Sequence, residues 1–267
     1  MRGAGMNVDI HNHILWGLDD GAQSPEETLA LARDAVQNGI THVIATPHHM
    51  DGKYENPASS IMQRVDEANR LLTEHEVPLT ILPGMELHLY GEIVQDFQAA
   101  KQTLLTLNHT QSYVLLELPY DHVPAYTERL LFDLQMEGYI PVIAHPERNH
   151  AIRERPSTLY RMVERGVLAQ ITAASVAGKF SDKYQEISRK LIEHNLIHFI
   201  ASDAHNVTRR GFALKAAYEW IDHKLGQQYT RFFQENACRL ISGRDIAAPS
   251  PLPFERKKKR KKFLGLF

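Results

Sequence analysis

The chain predicts an α/β fold, a seven-stranded βα barrel, and three observations predict it. Short apolar, β-branched runs alternate strictly with amphipathic helical patterns, which implies a parallel sheet. There are seven such runs: Val8–His13, His42–Thr46, Leu79–Glu86, Tyr113–Leu118, Ile140–Ala144, Val167–Ile171 and His198–Ala201. Histidines and carboxylates recur where the runs end, and closed βα barrels gather their active sites at the C-terminal ends of their strands. A closed barrel is therefore favoured over an open doubly wound sheet.

Taken in order, the first strand carries Asp9-Ile10-His11-Asn12-His13. Residues two apart in a strand share a face, so His11 and His13 can present two ligands to one point. The first helix is predicted over Pro25–Asn38. Ser24 is its N-cap, Pro25 opens its first turn, Glu27 completes a capping box and Gly39 ends it. Leu29, Ala32, Ala35 and Val36 supply its apolar stripe. The second strand ends in Thr46-Pro47-His48-His49 and leads to a helix over Pro57–His75. Gly84-Met85-Glu86 closes the third strand, and Leu116-Glu117-Leu118-Pro119 the fourth, before a helix over Tyr126–Glu137. Ala144-His145-Pro146-Glu147-Arg148 follows the fifth, before a helix over Pro156–Arg165. The sixth leads to a helix over Lys183–Asn195, and the seventh runs into Ser202-Asp203-Ala204-His205. Helices over Gly211–Lys224 and Phe232–Ile241 complete the body.

A lone histidine at a strand end is usually structural, but five polar sites that each close an apolar run are not coincidence. Imidazole and carboxylate together bind first-row transition metals, so the pattern reads as a metalloenzyme. At 267 residues and 43% hydrophobic content the chain has material for a sizeable core. No apolar stretch approaches the roughly 18–20 residues that span a bilayer. The N-terminus lacks a signal-peptide apolar core, and Cys238 stands alone, so a reducing, cytoplasmic setting is expected. The net charge of −2 hides an asymmetry, because residues 255–267 carry +6 and leave −8 on residues 1–254. Two units are expected: a barrel over 1–246, then a Pro-containing linker and a disordered basic tail over 247–267.

The ordered motifs, together with Asp19-Asp20-Gly21, resemble the polymerase-and-histidinol-phosphatase (PHP) superfamily. Within it they are similar to the manganese-dependent protein-tyrosine phosphatases of bacterial capsule and exopolysaccharide loci, from about Val8 to about Gly243. The resemblance implies a distorted (β/α)7 barrel of PHP type and a three-metal centre, and two or three bound ions are expected. It also implies a phosphorylated tyrosine kinase of the polysaccharide-export system as substrate and partner. His11 and His13 then hold one metal, joined by Asp203, with Glu86 bridging to a second metal that Glu117 and His145 complete. His48 and His205, with Asp20 or Asp19, hold the third. An Asp before a helix is equally a cap, so spacing leaves Asp19 and Asp20 unseparated.

The chemistry is coherent without the family. A phosphate monoester dianion repels hydroxide, and clustered metals both neutralise charge and lower the pKa of water. Arg148 and Arg210 are placed to reach phosphate oxygens as bidentate forks, or else are surface side chains. His49 either donates to phosphate or caps a turn. Manganese is the metal the resemblance implies, although mixed His/carboxylate sets also accept Fe, Zn or Co. The alternative enzyme is a small-metabolite phosphomonoesterase such as a histidinol-phosphate phosphatase. A nuclease fits the acidic body less well, and a metal-binding scaffold leaves the convergence at strand ends unexplained.

Two features compete with this reading. Cys238-x5-Arg244 matches the pattern of cysteine-dependent tyrosine phosphatases, but Cys238 falls within a predicted helix rather than a phosphate-cradling loop. The tail, Arg256–Lys262 followed by Phe263-Leu-Gly-Leu-Phe267, suits an anionic membrane surface, at the inner face of the membrane. An inert tail is the second reading, and nucleic acid is the least favoured partner.

Overall fold

The computed structural model describes residues 6–99 and 103–254. Among these residues nine parallel strands form two sheets. The first holds β1 (Val8–Asn12), β2 (His42–Ala45) and β4 (Thr80–Pro83) in the order β1-β2-β4. The second runs β3 (His48–His49), β5 (Glu86–His88), β6 (Tyr113–Glu117), β7 (Ile140–Ala144), β8 (Leu168–Thr172) and β9 (Phe199–Ala201), each paired with the next. β3 continues the line of β2 and β5 that of β4, so the nine strands occupy seven positions. The breaks fall at Thr46-Pro47, where proline offers no N–H to a ladder, and at Gly84-Met85. The ring returns to its start through a parallel bridge between Asn12 and Ala204. Asp203 N–H donates to His11 O, and His13 N–H to Ala204 O, each at 2.8 Å. The predicted barrel is correct, and two of its seven strands are split.

Alternation sorts each strand between two cores. Val8, Ile10, Ile44, Leu115, Val142, Leu168 and Phe199 form one buried cluster inside the ring. Val43, Val114, Leu116, Ile143, Ala169 and Ile200 face the helices, against Leu31, Leu72, Leu134, Met162, Leu191 and Ile221. β1 departs from strict alternation. Asp9 pairs with Val43 but Asn12 with Ala45, so one extra residue bulges between them. That bulge turns His11 and His13 to the lumen although Ile10 already faces it, and leaves Asp9 and Asn12 bonded on the outside at 3.0 Å.

The predicted helices form with end shifts of one to three residues, and the last is longer. Ser24 caps Pro25–Gln37, its hydroxyl accepting from Glu27 N–H, while Glu27 reaches back to Gln23 N–H at 2.7 Å. The helix expected from Gly211 starts at Leu214, because Ala213 sits in the left-handed region at φ 50°. The last helix begins at Gln227 rather than Phe232, its polar first turn carrying little apolar signal. Its Ala237 and Leu240 enter the lumen cluster and close the N-terminal floor of the barrel. Short helices at Ile93–Gln98, His150–Glu154 and Ala173–Val176 were not expected; they are too brief for a periodic signal.

The proline-rich stretch at 247–253 lies against the body. Leu252 N–H donates to His194 O at 2.8 Å, and the Phe254 ring stacks on His194 at 3.9 Å. The basic tail at 255–267 lies outside the described residues. Among the described residues no helix is long and apolar enough to cross a membrane.

Candidate metal centre

Above the apolar lumen the strand ends supply a polar layer. Its donors fall into four overlapping groups whose ligand atoms lie within 4.8 Å of one another. These are His13, Asp20, His48 and His205; His11, Glu86 and His145; His11, His13 and Asp203; and His48, Glu86 and Glu117. Every expected ligand except Asp19 is in at least one group. Glu86 lies at the centre, with Oε2 3.2 Å from His11 Nε2, 3.4 Å from His13 Nε2 and 3.0 Å from His48 Nδ1. Its Oε1 lies 3.0 Å from His145 Nε2. Asp203 Oδ1 approaches His11 and His13 Nε2 at 3.6 and 3.3 Å. The groups interlock more than three separate sites: His13 joins His48 and His205 as well as His11.

The backbone is strained where two of these residues turn inward. His145 has φ 30°, ψ 56° and Asp203 has φ 52°, left-handed conformations that cost non-glycine residues about 1–3 kcal/mol each. Close approach does the same work at two glycines. A Cβ on Gly21 would lie 2.0 Å from His13 O, so only glycine lets the Asp19-Asp20 loop press on β1. A Cβ on Gly84 would meet Ile44 Cγ2 at 2.6 Å inside the ring.

Outer contacts aim the rings. Gln170 Oε1 accepts from His11 Nδ1 at 3.0 Å, which leaves the Nε2 lone pair facing the cluster. Asp19 Oδ2 binds His13 Nδ1 at 2.6 Å and accepts from His48 N–H at 3.0 Å. Asp20 Oδ1 instead faces His205 Nε2 at 3.2 Å and His48 Nε2 at 3.6 Å. The structure thus separates the two: Asp20 joins the cluster, and Asp19 stands behind His13. His205 Nδ1 donates to Asp203 O at 3.0 Å, which turns its Nε2 inward.

His49 is not in the cluster. Its Nδ1 accepts from Asn56 N–H at 2.9 Å, and Asn56 donates onward to His48 O and Leu18 O, so it braces the following turn. Arg148 and Arg210 both reach Asp203 Oδ2, Arg210 at 2.8 Å, on the side away from the histidines. Their side chains are 28% and 29% exposed and Asp20 is 45% exposed, so the mouth is open where the arginines stand. Cys238 lies within Gln227–Ile241, its thiol on Met6 O, and burial pushes its pKa up. No loop of N–H groups surrounds it.

Several residues here were missed. Asp9 accepts from Ser202 N–H and Oγ–H, both at 2.7 Å, tying β9 to β1. Burial raises its pKa to about 6. It sits two residues before His11, so plain alternation put it on the ligand face, and only the bulge removes it. Buried Glu147 accepts from Thr172 N–H at 3.1 Å and Ser175 Oγ–H at 2.8 Å, pinning the turn after His145 to the end of β8. Nothing in the sequence marked Gln170.

The electrostatics are those of a site that seeks positive charge. Burial opposes ionisation of Glu86, yet His11 and His48 hold it well below the carboxylate range. Burial likewise opposes Asp203, which the Arg148 and Arg210 guanidiniums hold well below that range. Against the same burial, Glu86 lifts His48 to about 9 and Asp19 raises His13 well above its ordinary value. The fit to metal is direct. His11 Nε2, His13 Nε2, His48 Nδ1, His205 Nε2 and Glu86 Oε2 are buried in one space without a hydrogen-bond partner. Orphaned donors and acceptors of this kind are costly unless something satisfies them, and imidazole nitrogen with carboxylate oxygen is what a divalent transition metal takes.

Residues 7–242 match the family model for capsular polysaccharide synthesis, CpsB/CapC. The chain is 46% identical over 260 residues to the tyrosine-protein phosphatase YwqE of Bacillus subtilis, covering 97% of this chain and 100% of that one. It is 35% identical over 261 residues to the putative tyrosine-protein phosphatase CapC of Staphylococcus aureus, covering 97% and 99%. The fold superposes at TM-score 0.90, over 93% of this chain and 100% of the other, on a chain 46% identical to it. That chain comes from crystal structures of YwqE from Bacillus subtilis and CpsB from Streptococcus pneumoniae, described as unique metal-dependent tyrosine phosphatases. At 13% identity and TM-score 0.53, covering 92% of this chain and 77% of the other, a β-aspartyl dipeptidase from Fervidobacterium islandicum AW-1 shares the fold alone.

Proposed function

The chain belongs to the CpsB/CapC family of capsular polysaccharide synthesis, and from that premise we propose that it is a metal-dependent protein-tyrosine phosphatase. One observation carries the reading: five orphaned imidazole and carboxylate atoms converge beneath a mouth flanked by two arginines. His11, His13, Asp20, His48, Glu86, Glu117, His145, Asp203 and His205 are the residues that would hold the ions. Bound divalent ions supply positive charge and a lowered water pKa at neutral pH.

This chain's own residues do the rest. Arg148 and Arg210 grip phosphate oxygens as planar forks, exchanging Asp203 Oδ2 for substrate. Asp203 presents Oδ1 to the histidines and Oδ2 to the arginines, so it holds the two guanidiniums beside the cluster until substrate arrives. Asp19 and Gln170 hold His13 and His11 in the tautomer that aims Nε2 inward. The open side, with Asp20 nearly half exposed, admits a phosphotyrosine that remains attached to a protein.

The finer assignments are also part of the proposal. Manganese is the resident metal, two or three ions per chain. The substrate is a phosphorylated tyrosine kinase of capsule or exopolysaccharide export, met in the cytoplasm. Residues 1–246 are the catalytic unit, and the basic stretch at 255–267 brings it to an anionic membrane surface. The test measures kcat/KM on a phosphotyrosyl peptide and on histidinol phosphate, for wild type and for Arg148→Lys and Arg210→Lys. The peptide is expected to be the better substrate, and each Lys variant to lose about tenfold or more on it with metal content held. Preference for histidinol phosphate would overturn the substrate class, and wild-type kinetics in both Lys variants would remove the arginines from the site.

A further inference from the structure

Beside Arg148, the rim holds a third arginine between aromatic rings. Arg153, on His150–Glu154, donates from Nη1 to Glu147 O at 3.2 Å and to Arg148 O, so it is anchored to the turn that begins at His145. Its guanidinium carbon lies 5.8 Å from the centre of the Tyr120 ring and 5.3 Å from that of Tyr184. Phe180 stands edge-on to Tyr184 at 6.3 Å and 76°. Tyr120 follows the strand that carries Glu117, and its carbonyl accepts from His150 N–H at 2.8 Å. Three separate segments therefore converge on one spot at the mouth.

Tyr120 and Phe180 stand where core packing does not require them. Tyr120 is 65% exposed and Phe180 38%, and neither belongs to the buried core. Asp121, next in the chain to Tyr120, is occupied by His122 Nδ1 at 2.6 Å. Tyrosine rings attract a guanidinium, and with Nη1 given to the two carbonyls, Nε and Nη2 are the N–H groups left to meet a carboxylate. Ring contact and the two backbone carbonyls also restrict its motion before any ligand arrives, which lowers the cost of binding.

We propose that Tyr120, Arg153 and Tyr184 form a subsite for an acidic side chain flanking the phosphotyrosine of a protein substrate. The inference rests on the phosphatase reading and deepens it. It assigns the rim a selectivity that the metal cluster, which meets only phosphate, does not supply.

The test uses the full chain loaded with manganese and paired phosphotyrosyl peptides that differ only by Glu or Gln at each flanking position. At one or more positions wild type should favour Glu by about fivefold in kcat/KM, mostly through KM, as a half-exposed ion pair allows. The preference should shrink as salt rises. Arg153→Gln should bring the ratio close to one. Because that change also frees the Arg148 carbonyl, Tyr120→Leu/Tyr184→Leu is the second variant; it leaves the carbonyl contacts in place and should lower the same ratio. Equal rates on Glu and Gln peptides at every position in wild type, or a preference that survives both variants, would overturn the subsite while leaving the phosphatase reading intact. Failure of wild type to hydrolyse any of the peptides would instead overturn the phosphatase reading, and the subsite with it.

Discussion

The two ends of the barrel use histidine in opposite ways. At the mouth, His13 and His48 are buried among carboxylates, and their pKa values rise in spite of the burial. At the floor, His198 is also buried but among the described residues has no carboxylate beside it, and burial pushes it down to about 4. Its Nδ1 accepts from Ala169 N–H at 3.1 Å, a structural bond between β8 and β9. Left-handed backbone turns His145 and Asp203 into the mouth, and Ala237 and Leu240 seal the floor by apolar packing. Residue type and burial are the same in both places. What separates His13 and His48 from His198 is the company of charges; His205, also at the mouth, has its pKa lowered by burial and by the neighbouring His13 although Asp20 and Asp203 face it.

The largest effects should follow from breaking the mouth. His11→Ala or Asp203→Ala should reduce kcat on a phosphotyrosyl peptide by on the order of 10³-fold or more, with loss of bound metal measured on the same sample. A variant that keeps its metal and its rate would show that the cluster is only a buried polar network. Asp19→Asn should cost about 10–100-fold, the scale of contacts that orient a ligand. A loss as large as that of His11→Ala would place Asp19 among the ligands instead.

Much of this contrast was legible before the fold was known. Alternation put His11 with His13, and the strand ends collected His48, Glu86, Glu117, His145, Asp203 and His205. Several particulars depended on the path of the backbone. The bulge in β1 turns Asp9 away from the ligands it neighbours in sequence, and no spacing rule reveals it. Asp19 and Asp20 separate only because Gly21 lets their loop press against His13. His48 and His49 divide as strand neighbours must, one inward and one into the turn held by Asn56. Gln170 was silent because an amide in a strand has no motif, and its role exists only across the ring from His11.

Smaller effects should come from the floor. Below pH 6.5 the unfolded chain protonates His198, while the folded protein resists until about pH 4. The contribution to stability is therefore fully present above pH 6.5 and is lost as pH falls toward 4, by about 3 kcal/mol at most. His198→Asn should flatten the wild-type fall in unfolding free energy over that window, read from urea titrations at pH 7 and pH 5. An identical slope in the two proteins would mean that His198 does not titrate as its apolar surroundings dictate. Cys238→Ser should change least, leaving kcat/KM near wild type. A folded, metal-loaded Cys238→Ser protein without activity would move the chemistry from the mouth to the floor.

On the proposed function, the mouth hydrolyses phosphotyrosine through bound metal. The most direct measurement is activity on a phosphotyrosyl peptide after complete chelation and again after titration with manganese, with metal counted per chain. Activity should vanish on chelation and return in step with two or three bound ions, in wild type and not in His11→Ala. Full activity in metal-free protein would contradict the account.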